Sequence, residues 1–382
     1  MKFMHLSDLH LGKRIYEYSM IEDQEYILQQ ILDIIEAEGI QTLLLAGDIY
    51  DKPIPTVEAV NLFDRFLVTL SKRGVKTLII SGNHDSAERI TFGSRLMEDS
   101  GIYFAPAYHG EIYSVMLRDE YGDIEFSLLP FIKPVHARQC FPEEEITSYT
   151  DAVACALKRE TAPDHLRRVL MTHQFVTGAS RCDSEDIAVG GIDNVDATVF
   201  DGYDYVALGH IHSPQSVQRE TIRYCGTPLK YSFSEIDQEK SVTMVTMKEK
   251  GDITVETLPL IPWRELRHLR GTYDSLTLKS FYENTTYSTD YVYITLTDEE
   301  DIPDAIGRLQ VIYHNLMCLD YDNTRTRQNQ SIEGAEDAEH KTPLKLFEEL
   351  YELQNNQPMT EQQRSFAAEL LEKTMEAENA TH

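Results

Sequence analysis

The chain has 382 residues, of which 42% are hydrophobic, so it is long enough for one large core and at least one smaller domain. No stretch approaches the roughly 18 apolar residues of a membrane span, and a strand pattern follows Met1 directly, so we expect a cytoplasmic protein whose five scattered cysteines stay reduced. The 64 acidic and 35 basic residues give a net charge of −29, which argues against nucleic acid as a partner unless the charge near a site differs from the total.

Strands and helices alternate in the first part of the sequence. Lys2–Leu6 has the apolar run of a buried strand, and the isoleucines between Ile27 and Ile35 follow helical spacing. Thr42–Ala46 predicts the next strand, Thr56 predicts the N-cap of a second helix, and Thr77–Ser81 predicts a third strand. These elements form a β-α-β-α-β run.

The middle of the chain predicts a mixture of parallel and antiparallel strands. Apolar residues alternate on both sides of Tyr121-Gly122-Asp123, which indicates a hairpin. Val169–Met171 and Tyr205–Leu208 predict two further strands. We therefore expect an α/β fold in which mixed sheets are sandwiched between helices over residues 1–262.

The pattern changes after Leu258–Pro262. A strand is predicted at Tyr291–Thr297, a short helix at Pro303–Val311 and another strand at Leu316–Tyr321. We interpret residues 263–321 as a second, small α/β domain.

The last third of the sequence is polar and acidic. Residues 322–341 have few apolar side chains and indicate a linker. Within 342–382, Thr342 and Thr360 each predict the start of an amphipathic helix. Two readings of this helical pair remain open: it packs back on the body, or it docks on a partner protein.

Five short segments carry the residue types of a metal centre, and each follows a predicted strand. They are Asp8-Leu9-His10, Gly47-Asp48, Gly82-Asn83-His84-Asp85, Thr172-His173 and Gly209-His210-Ile211-His212. Carboxylate, amide and imidazole groups are ligands for divalent cations. Each segment alone is more often a surface loop or a core histidine, but five in order predict ligands that converge at one sheet edge.

These residues can be divided between two cations. One ion would take Asp8, His10 and His212, the other would take Asn83, His173 and His210, and Asp48 would bridge them. Such ions lie about 3.5–4 Å apart and share a water that becomes a nucleophile near neutral pH. We expect His84 to contact a phosphate oxygen or protonate the leaving group, and Asp85 to hold the His84 ring in one tautomer.

The ordered ligand set resembles the calcineurin-like metallophosphoesterase superfamily over roughly the first 260 residues. The resemblance implies a pair of mixed β-sheets flanked by helices. Three longer stretches, residues 4–12, 201–212 and 224–235, are similar to the branch of this superfamily whose members are nuclease subunits acting on DNA.

The resemblance to that branch implies an activity and partners. Its members are double-strand exonucleases and single-strand endonucleases that use manganese, so we expect two Mn²⁺ ions, DNA ends and hairpins as substrates, and association with the nucleoid. A capping domain would correspond to 263–321. The resemblance also implies a homodimer, and an ABC-type ATPase with long coiled coils that the helices within 342–382 would bind. The alternative is a phosphodiesterase or phosphatase for small molecules.

Three residues beside the ligands have open roles. Lys13 and Arg14 would contact the DNA backbone, or are solvated loop cations. Asp51 stands where relatives often carry a histidine, so that histidine's role does not transfer. Asp51 would orient a ligand or a phosphate, or would only terminate the turn.

Overall fold

The computed structural model describes residues 1–158, 163, 165–180, 182, 194–324 and 326, and in the C-terminal part 344–345, 347–348, 350–351, 359–368 and 370. The chain forms two compact units, Met1–Glu265 and Leu266–His382. Among the described residues, no helix has both the length and the apolar character that crossing a lipid bilayer requires.

The strands of the first unit, in chain order, are β1 Lys2–Leu6, β2 Arg14–Ile15, β3 Tyr18–Ser19, β4 Thr42–Ala46, β5 Lys76–Ile80, β6 Ile102–Phe104, β7 Tyr113–Asp119, β8 Gly122–Leu129, β9 Arg167–His173, β10 Phe175–Val176, β11 Asn194–Val195, β12 Tyr205–Gly209, β13 Gln215–Val217, β14 Arg219–Tyr224, β15 Ser241–Met247 and β16 Ile253–Pro259. Its helices are α1 Ile21–Ala37, α2 Val57–Lys72, α3 Ala87–Ile90, α4 Ser94–Met97, α5 Pro134–Cys140 and α6 Tyr149–Leu157. Short 3-10 turns lie at Glu98–Ser100, Ala197–Phe200 and Phe233–Glu235.

Two six-stranded mixed sheets build the first unit, as the sequence and the resemblance predicted. The first has the order β16-β15-β1-β4-β5-β6, and the second has the order β13-β14-β12-β9-β8-β7. Strands β1, β4, β5 and β6 are parallel, whereas β15 and β16 add an antiparallel edge. In the second sheet β8, β9, β12 and β14 are parallel, and β7 and β13 are antiparallel edges.

The main core lies between the two sheets. Phe3 and Leu44 from the first sheet share one buried cluster with Phe126, Met171 and Tyr205 from the second. Neighbouring residues of the same strands point to the opposite faces and are buried there as well, since helices cover both outer faces. This arrangement is why β4 and β9 are buried at every position.

Helices close the outer faces of both sheets. On the first sheet, α2 packs on β5 and buries Phe63 and Phe66. On the second, Ala137 of α5 and Val153 of α6 share a buried cluster with Leu170 of β9. The result is a helix–sheet–sheet–helix sandwich.

Most individual predictions in this unit are confirmed. The predicted strand bounds agree with β1 and β4, and the predicted hairpin is β7 and β8. Thr56 caps α2 as predicted, since its Oγ1 accepts a hydrogen bond from Ala59 N at 3.3 Å; such a cap contributes about 1 kcal/mol. The antiparallel strands β15 and β16 were not predicted from the sequence.

The second unit contains a small parallel sheet with its own core. Its strands are β17 Leu266–Gly271, β18 Tyr291–Leu296 and β19 Asn315–Tyr321, in that order, and its helices are α7 Tyr273–Thr277, α8 Lys279–Tyr282 and α9 Ala305–Gln310. Leu276, Ile294, Leu309 and Tyr313 are fully buried in its cluster. The sequence predicted β18, α9 and β19, whereas β17, α7 and α8 were not predicted.

The first residues of the predicted linker are packed and not free. Asp322 N donates to Leu296 O, and the buried Asn323 side chain donates to Asp298 O at 3.2 Å, so these first residues are packed in the second unit. The rest of the predicted linker, apart from residues 324 and 326, lies outside the described residues. Residues 361–368 are helical, as are the described positions between 344 and 351.

Candidate metal centre

The ligand-rich segments meet because they follow parallel strands at the same edge of their sheets. Asp8 follows β1, Asp48 follows β4 and Asn83 follows β5 in the first sheet. His173 ends β9 and His210 follows β12 in the second sheet. The carboxyl ends of these strands converge, which is the usual place for a site in such folds.

One group of ligand atoms, which we call the first site, consists of Asp8, His10 and His212. Their ligand atoms lie within 4.8 Å of one another, and all three side chains are buried. Nε2 of His10 and Nε2 of His212 are 3.2 Å apart. Two imidazole nitrogens this close need a proton or a cation between them, so the residues fit a metal ion.

A second group, which we call the second site, consists of Asn83, His173 and His210. Oδ1 of Asn83 lies 3.0 Å from Nε2 of His173 and 2.9 Å from Nδ1 of His210. Nδ1 of His173 is 2.8 Å from the carbonyl oxygen of Ala46, which can only accept, so Nδ1 carries the proton and Nε2 is the nitrogen that can bind a metal.

Asp48 lies between the two sites. Its Oδ2 is 3.3 Å from Nε2 of His173 and 3.8 Å from Nε2 of His10. Its Oδ1 accepts a hydrogen bond from the backbone N–H of His84 at 2.9 Å. One oxygen therefore faces both sites, which is the geometry that a bridging carboxylate requires.

Burial and charge give the centre its electrostatic character. Burial is the main cause that raises the pKa of Asp8. Burial also opposes ionisation of Asp48, but the neighbouring histidines, His173 first and then His10 and His84, together outweigh it and lower the pKa of Asp48. Burial likewise opposes protonation of His173, but Asp48 raises the pKa of His173 to about 9. A divalent cation would replace that proton, because imidazole binds metals only when it is neutral.

Four non-glycine residues of the centre have left-handed backbone conformations. The φ angles are 53° at Asp8, 43° at His10, 50° at Asp48 and 102° at His210. Each such residue costs on the order of 1–3 kcal/mol, and such strain persists only where the surroundings enforce it. Here Asp8 N donates to Gly47 O at 3.0 Å, and His210 N donates to the Asp8 carboxylate at 3.1 Å.

Two glycines allow the loops of the centre to approach one another. A Cβ on Gly82 would lie 2.1 Å from Oδ1 of Asp48, and a Cβ on Gly209 would lie 1.9 Å from the Ala46 carbonyl oxygen. No side chain fits at either distance. Both glycines are therefore required by the close packing below the ligands.

We expect the Gly82→Ala variant to bind Mn²⁺ at least about tenfold more weakly and to lose about 1–3 kcal/mol of unfolding free energy, because the added methyl displaces Asp48. Calorimetric titration and thermal unfolding measure both effects. Gly202→Ala is the matched control, since its Cβ would meet only Arg168 Nη1 at 3.8 Å. Unchanged Mn²⁺ affinity in the Gly82 variant would contradict the packing argument.

His84 lies beside the two sites, but the expectation that Asp85 holds its ring is wrong. Its Nε2 is 4.0 Å from Oδ2 of Asp48, while its Nδ1 is 3.1 Å from the backbone carbonyl oxygen of Asp51. The Asp85 carboxylate instead accepts hydrogen bonds from the backbone N–H groups of Gly82, Ile49 and Tyr50. Burial and then the Asp48 charge raise the pKa of Asp85 to about 6. Asp85 thus joins the loops after β4 and β5, and a peptide carbonyl orients His84.

Asp51 and Lys13 lie beside the first site, whereas Arg14 is exposed. Oδ1 of Asp51 lies 2.8 Å from Nζ of Lys13 and 3.8 Å from Nδ1 of His10. Lys13 is therefore paired with an acid beside the first site. The guanidinium of Arg14 is exposed and contacts Glu17, the residue three positions later.

Two charged residues near the first site, Glu235 and Lys240, were not predicted from the sequence. Glu235 is fully buried, and its Oε1 lies 3.5 Å from Nδ1 of His212 while its Oε2 accepts from Lys240 Nζ at 2.6 Å. Burial opposes ionisation of Glu235, but its contacts with His212 and Lys240 outweigh it and lower the pKa of Glu235 to about 2. The only signal for Glu235 was its place at the end of residues 224–235, to which we had assigned no chemistry.

Comparison with known proteins agrees with this geometry. Residues 1–214, more than half of the chain, match the family model described as calcineurin-like phosphoesterase. The chain belongs to the calcineurin-like phosphoesterase family. Residues 262–355 match a second model, described as the type 5 capsule protein repressor C-terminal domain.

Two curated members related to this phosphoesterase cover nearly its whole length. The D subunit of nuclease SbcCD from Staphylococcus epidermidis is 29% identical over 344 residues, which is 88% of this chain and 90% of that protein. The protein of the same name from Staphylococcus saprophyticus is 29% identical over 346 residues, with the same shares. Family membership and the ligand clusters together indicate a phosphoesterase that uses divalent metal ions.

Proposed function

We propose that this phosphoesterase is the nuclease subunit of an SbcCD-type complex and hydrolyses DNA phosphodiesters, as a double-strand exonuclease and a single-strand endonuclease. The observation that carries the proposal is the pair of adjoining metal sites around Asp48. Similarity to two nuclease subunits over 88% of the chain supports DNA as the substrate. It does not favour the small-molecule alternative.

Each group of residues in the centre has its own role in this proposal. The first site would hold one cation, the second site the other, and Asp48 would contact both. When bound, two divalent cations lower the pKa of a shared water and neutralise charge that develops on the phosphate. Asp85 and the strained backbone at Asp8 keep the ligands in place before substrate arrives. We propose Mn²⁺ as the metal in both sites.

His84 is placed to act on the substrate rather than on the metal. Because its Nδ1 donates to the Asp51 carbonyl, Nε2 is the nitrogen that faces the centre. The side chain is 21% exposed, so a phosphate can reach it. We propose that His84, with a proton on each ring nitrogen, donates a hydrogen bond or a proton from Nε2 to a phosphate oxygen or to the leaving oxygen, and keeps its Nδ1 proton on the Asp51 carbonyl.

The second unit and the C-terminal helices supply the partner functions in this proposal. Residues 263–321 would be the capping domain of the DNA cleft. The helices near the C-terminus contact each other, since Gln363 Nε2 donates to Tyr351 Oη at 2.9 Å and Arg364 pairs with Glu348. They still expose Phe366 and Leu370. This apolar surface supports docking of residues 342–382 on an SbcC-type ABC ATPase with long coiled coils.

Two further parts of the proposal concern assembly and location. Phe92 and Leu96 of the first unit are 86% and 84% exposed, and Val57 of α2 is also exposed; such large apolar side chains in solvent support a homodimer that covers some of them. We place the complex on DNA ends and hairpins in the nucleoid. The exposed guanidinium of Arg14 would then contact the DNA backbone.

Cleavage of linear duplex DNA tests the proposed function. We expect the chain to degrade labelled duplexes in Mn²⁺, to lose this activity in EDTA and to regain it when Mn²⁺ is restored, because its hard oxygen and imidazole ligands suit that ion. Bis-p-nitrophenyl phosphate serves as the small-molecule control. Turnover of this control without any DNA cleavage, with the ATPase partner present, would contradict the proposal.

A further inference from the structure

Two carboxylates stand behind the two histidines of the first site. Asp51 Oδ1 lies 3.8 Å from Nδ1 of His10, and Glu235 Oε1 lies 3.5 Å from Nδ1 of His212. In each case the acid faces the nitrogen opposite to Nε2, and the two Nε2 atoms face each other. We propose that Asp51 and Glu235 are positioning residues for the first site. This inference rests on the proposed two-cation function.

A carboxylate at Nδ1 controls how a histidine binds a metal. Glu235 is close enough to keep the proton on Nδ1 of His212, which leaves the Nε2 lone pair for the cation and makes that nitrogen a stronger ligand. Asp51, at 3.8 Å, is too far to accept a hydrogen bond from His10 Nδ1, a buried atom with no hydrogen-bond partner among the described residues, so it acts on His10 through its charge. The second site differs, because Nδ1 of His173 faces the neutral carbonyl of Ala46 at 2.8 Å. The two sites therefore depend on these acids unequally.

Each acid has a lysine as its ion-pair partner. Lys13 Nζ lies 2.8 Å from Asp51 Oδ1, and Lys240 Nζ lies 2.6 Å from Glu235 Oε2. Glu235 is fully buried and Lys240 is 5% exposed, so neither charge would be stable alone. Lys240 also donates to the carbonyl oxygen of His212 at 3.0 Å, which attaches it to the loop that carries the ligand.

The pair formed by Glu235 and Lys240 explains part of residues 224–235. Thr227 Oγ1 accepts from Lys240 Nζ at 2.8 Å, and Thr227 N donates to His212 O at 3.1 Å. Thr227 and Glu235, both in this stretch, therefore both contact Lys240. In this arrangement the stretch fixes His212 from behind and needs no contact with the substrate.

Mn²⁺ titration of the full chain tests the inference. For Glu235→Gln and for Asp51→Asn we expect one of the two bound Mn²⁺ to dissociate on the order of 10–100 times more readily, while the other stays within about twofold of wild type. Electron paramagnetic resonance should show isolated Mn²⁺ in place of a coupled pair. Raising the Mn²⁺ concentration should restore DNA cleavage, which a merely structural defect would not allow.

Matched controls separate positioning from the loss of a buried charge. Glu125, paired with Arg168 at 2.8 Å, and Asp204, paired with Lys250 at 3.5 Å, belong to the same unit. Glu125→Gln and Asp204→Asn should leave both Mn²⁺ affinities unchanged. Thermal unfolding identifies a variant that fails to fold. If Glu235→Gln does not fold, the Mn²⁺ affinities of Asp51→Asn, at a partly exposed residue, test the inference.

The outcomes distinguish this inference from the proposed function. Wild-type affinity for both Mn²⁺ ions in folded Glu235→Gln and Asp51→Asn would overturn the inference while the nuclease proposal stands. Equal weakening of both ions would also overturn it. A wild-type chain that binds fewer than two Mn²⁺ would overturn the inference and the two-cation function together.

Discussion

We expect the Asp48→Asn variant to lose both bound cations and nearly all phosphodiester cleavage. Asp48 Oδ2 faces His173 at 3.3 Å and His10 at 3.8 Å, so this carboxylate oxygen lies between the two sites. Asparagine keeps the shape and can still accept from His84 N, but it removes the negative charge that two cations would share. Turnover should fall by about a thousandfold or more, which corresponds to about 4 kcal/mol of activation free energy.

Calorimetric Mn²⁺ titration and a DNA cleavage assay measure the effect of Asp48→Asn. Asp33→Asn is the matched control, because Asp33 is an exposed aspartate of α1 whose carboxylate accepts a local hydrogen bond from Gln29. The control should resemble wild type in both assays. Two bound Mn²⁺ ions with normal turnover in Asp48→Asn would rule out the bridging role.

The His84→Gln variant should separate metal binding from chemistry. We expect this variant to bind two Mn²⁺ ions with about wild-type affinity. In the wild-type chain, Nδ1 of His84 is held by the Asp51 carbonyl and Nε2 of His84 is 4.0 Å from Oδ2 of Asp48, so the proposed ligand set does not need His84. Turnover should nevertheless fall by about 10²–10⁴-fold, the usual contribution of a general acid or base.

The same variant decides between two roles for His84. His84 also forms a group with His10 and Asp48 whose ligand atoms lie within 4.8 Å of one another, so a ligand role is geometrically available. Loss of one Mn²⁺ from His84→Gln would assign it to the metal, and unchanged turnover would remove it from the chemistry. His109→Gln, at an exposed histidine outside the centre, serves as the control.

Much of the fold could be predicted because the local signals were strong. Continuous apolar runs such as Thr42–Ala46 indicate strands buried on both faces, and Thr56 is a typical N-cap residue. The edge strand Ile253–Pro259 was harder to predict, because it is half-exposed and has no clear apolar face. Strand Leu266–Gly271 is also only partly buried, and only its packing in the second unit identifies it.

The centre shows the same division between local and long-range information. Asp8, His10, Asp48, Asn83, His173, His210 and His212 could be predicted to come together because each stands just after a predicted strand. Asp85 was assigned to the wrong contact. Its position next to His84 suggested an interaction with that ring, but its carboxylate is held by three backbone N–H groups of two loops.

The sequence by itself determined the residue types of the candidate metal centre, their order and the sheet edge at which they meet. These follow from residue type and from the rule that parallel strands end on the same side. Only the tertiary structure decided which group stands behind each histidine: the Asp51 carbonyl for His84, the Asp51 carboxylate for His10, and Glu235 for His212. The physical reason is that a ligand's partner lies on another loop, and its distance and burial are set by the packing of the whole unit.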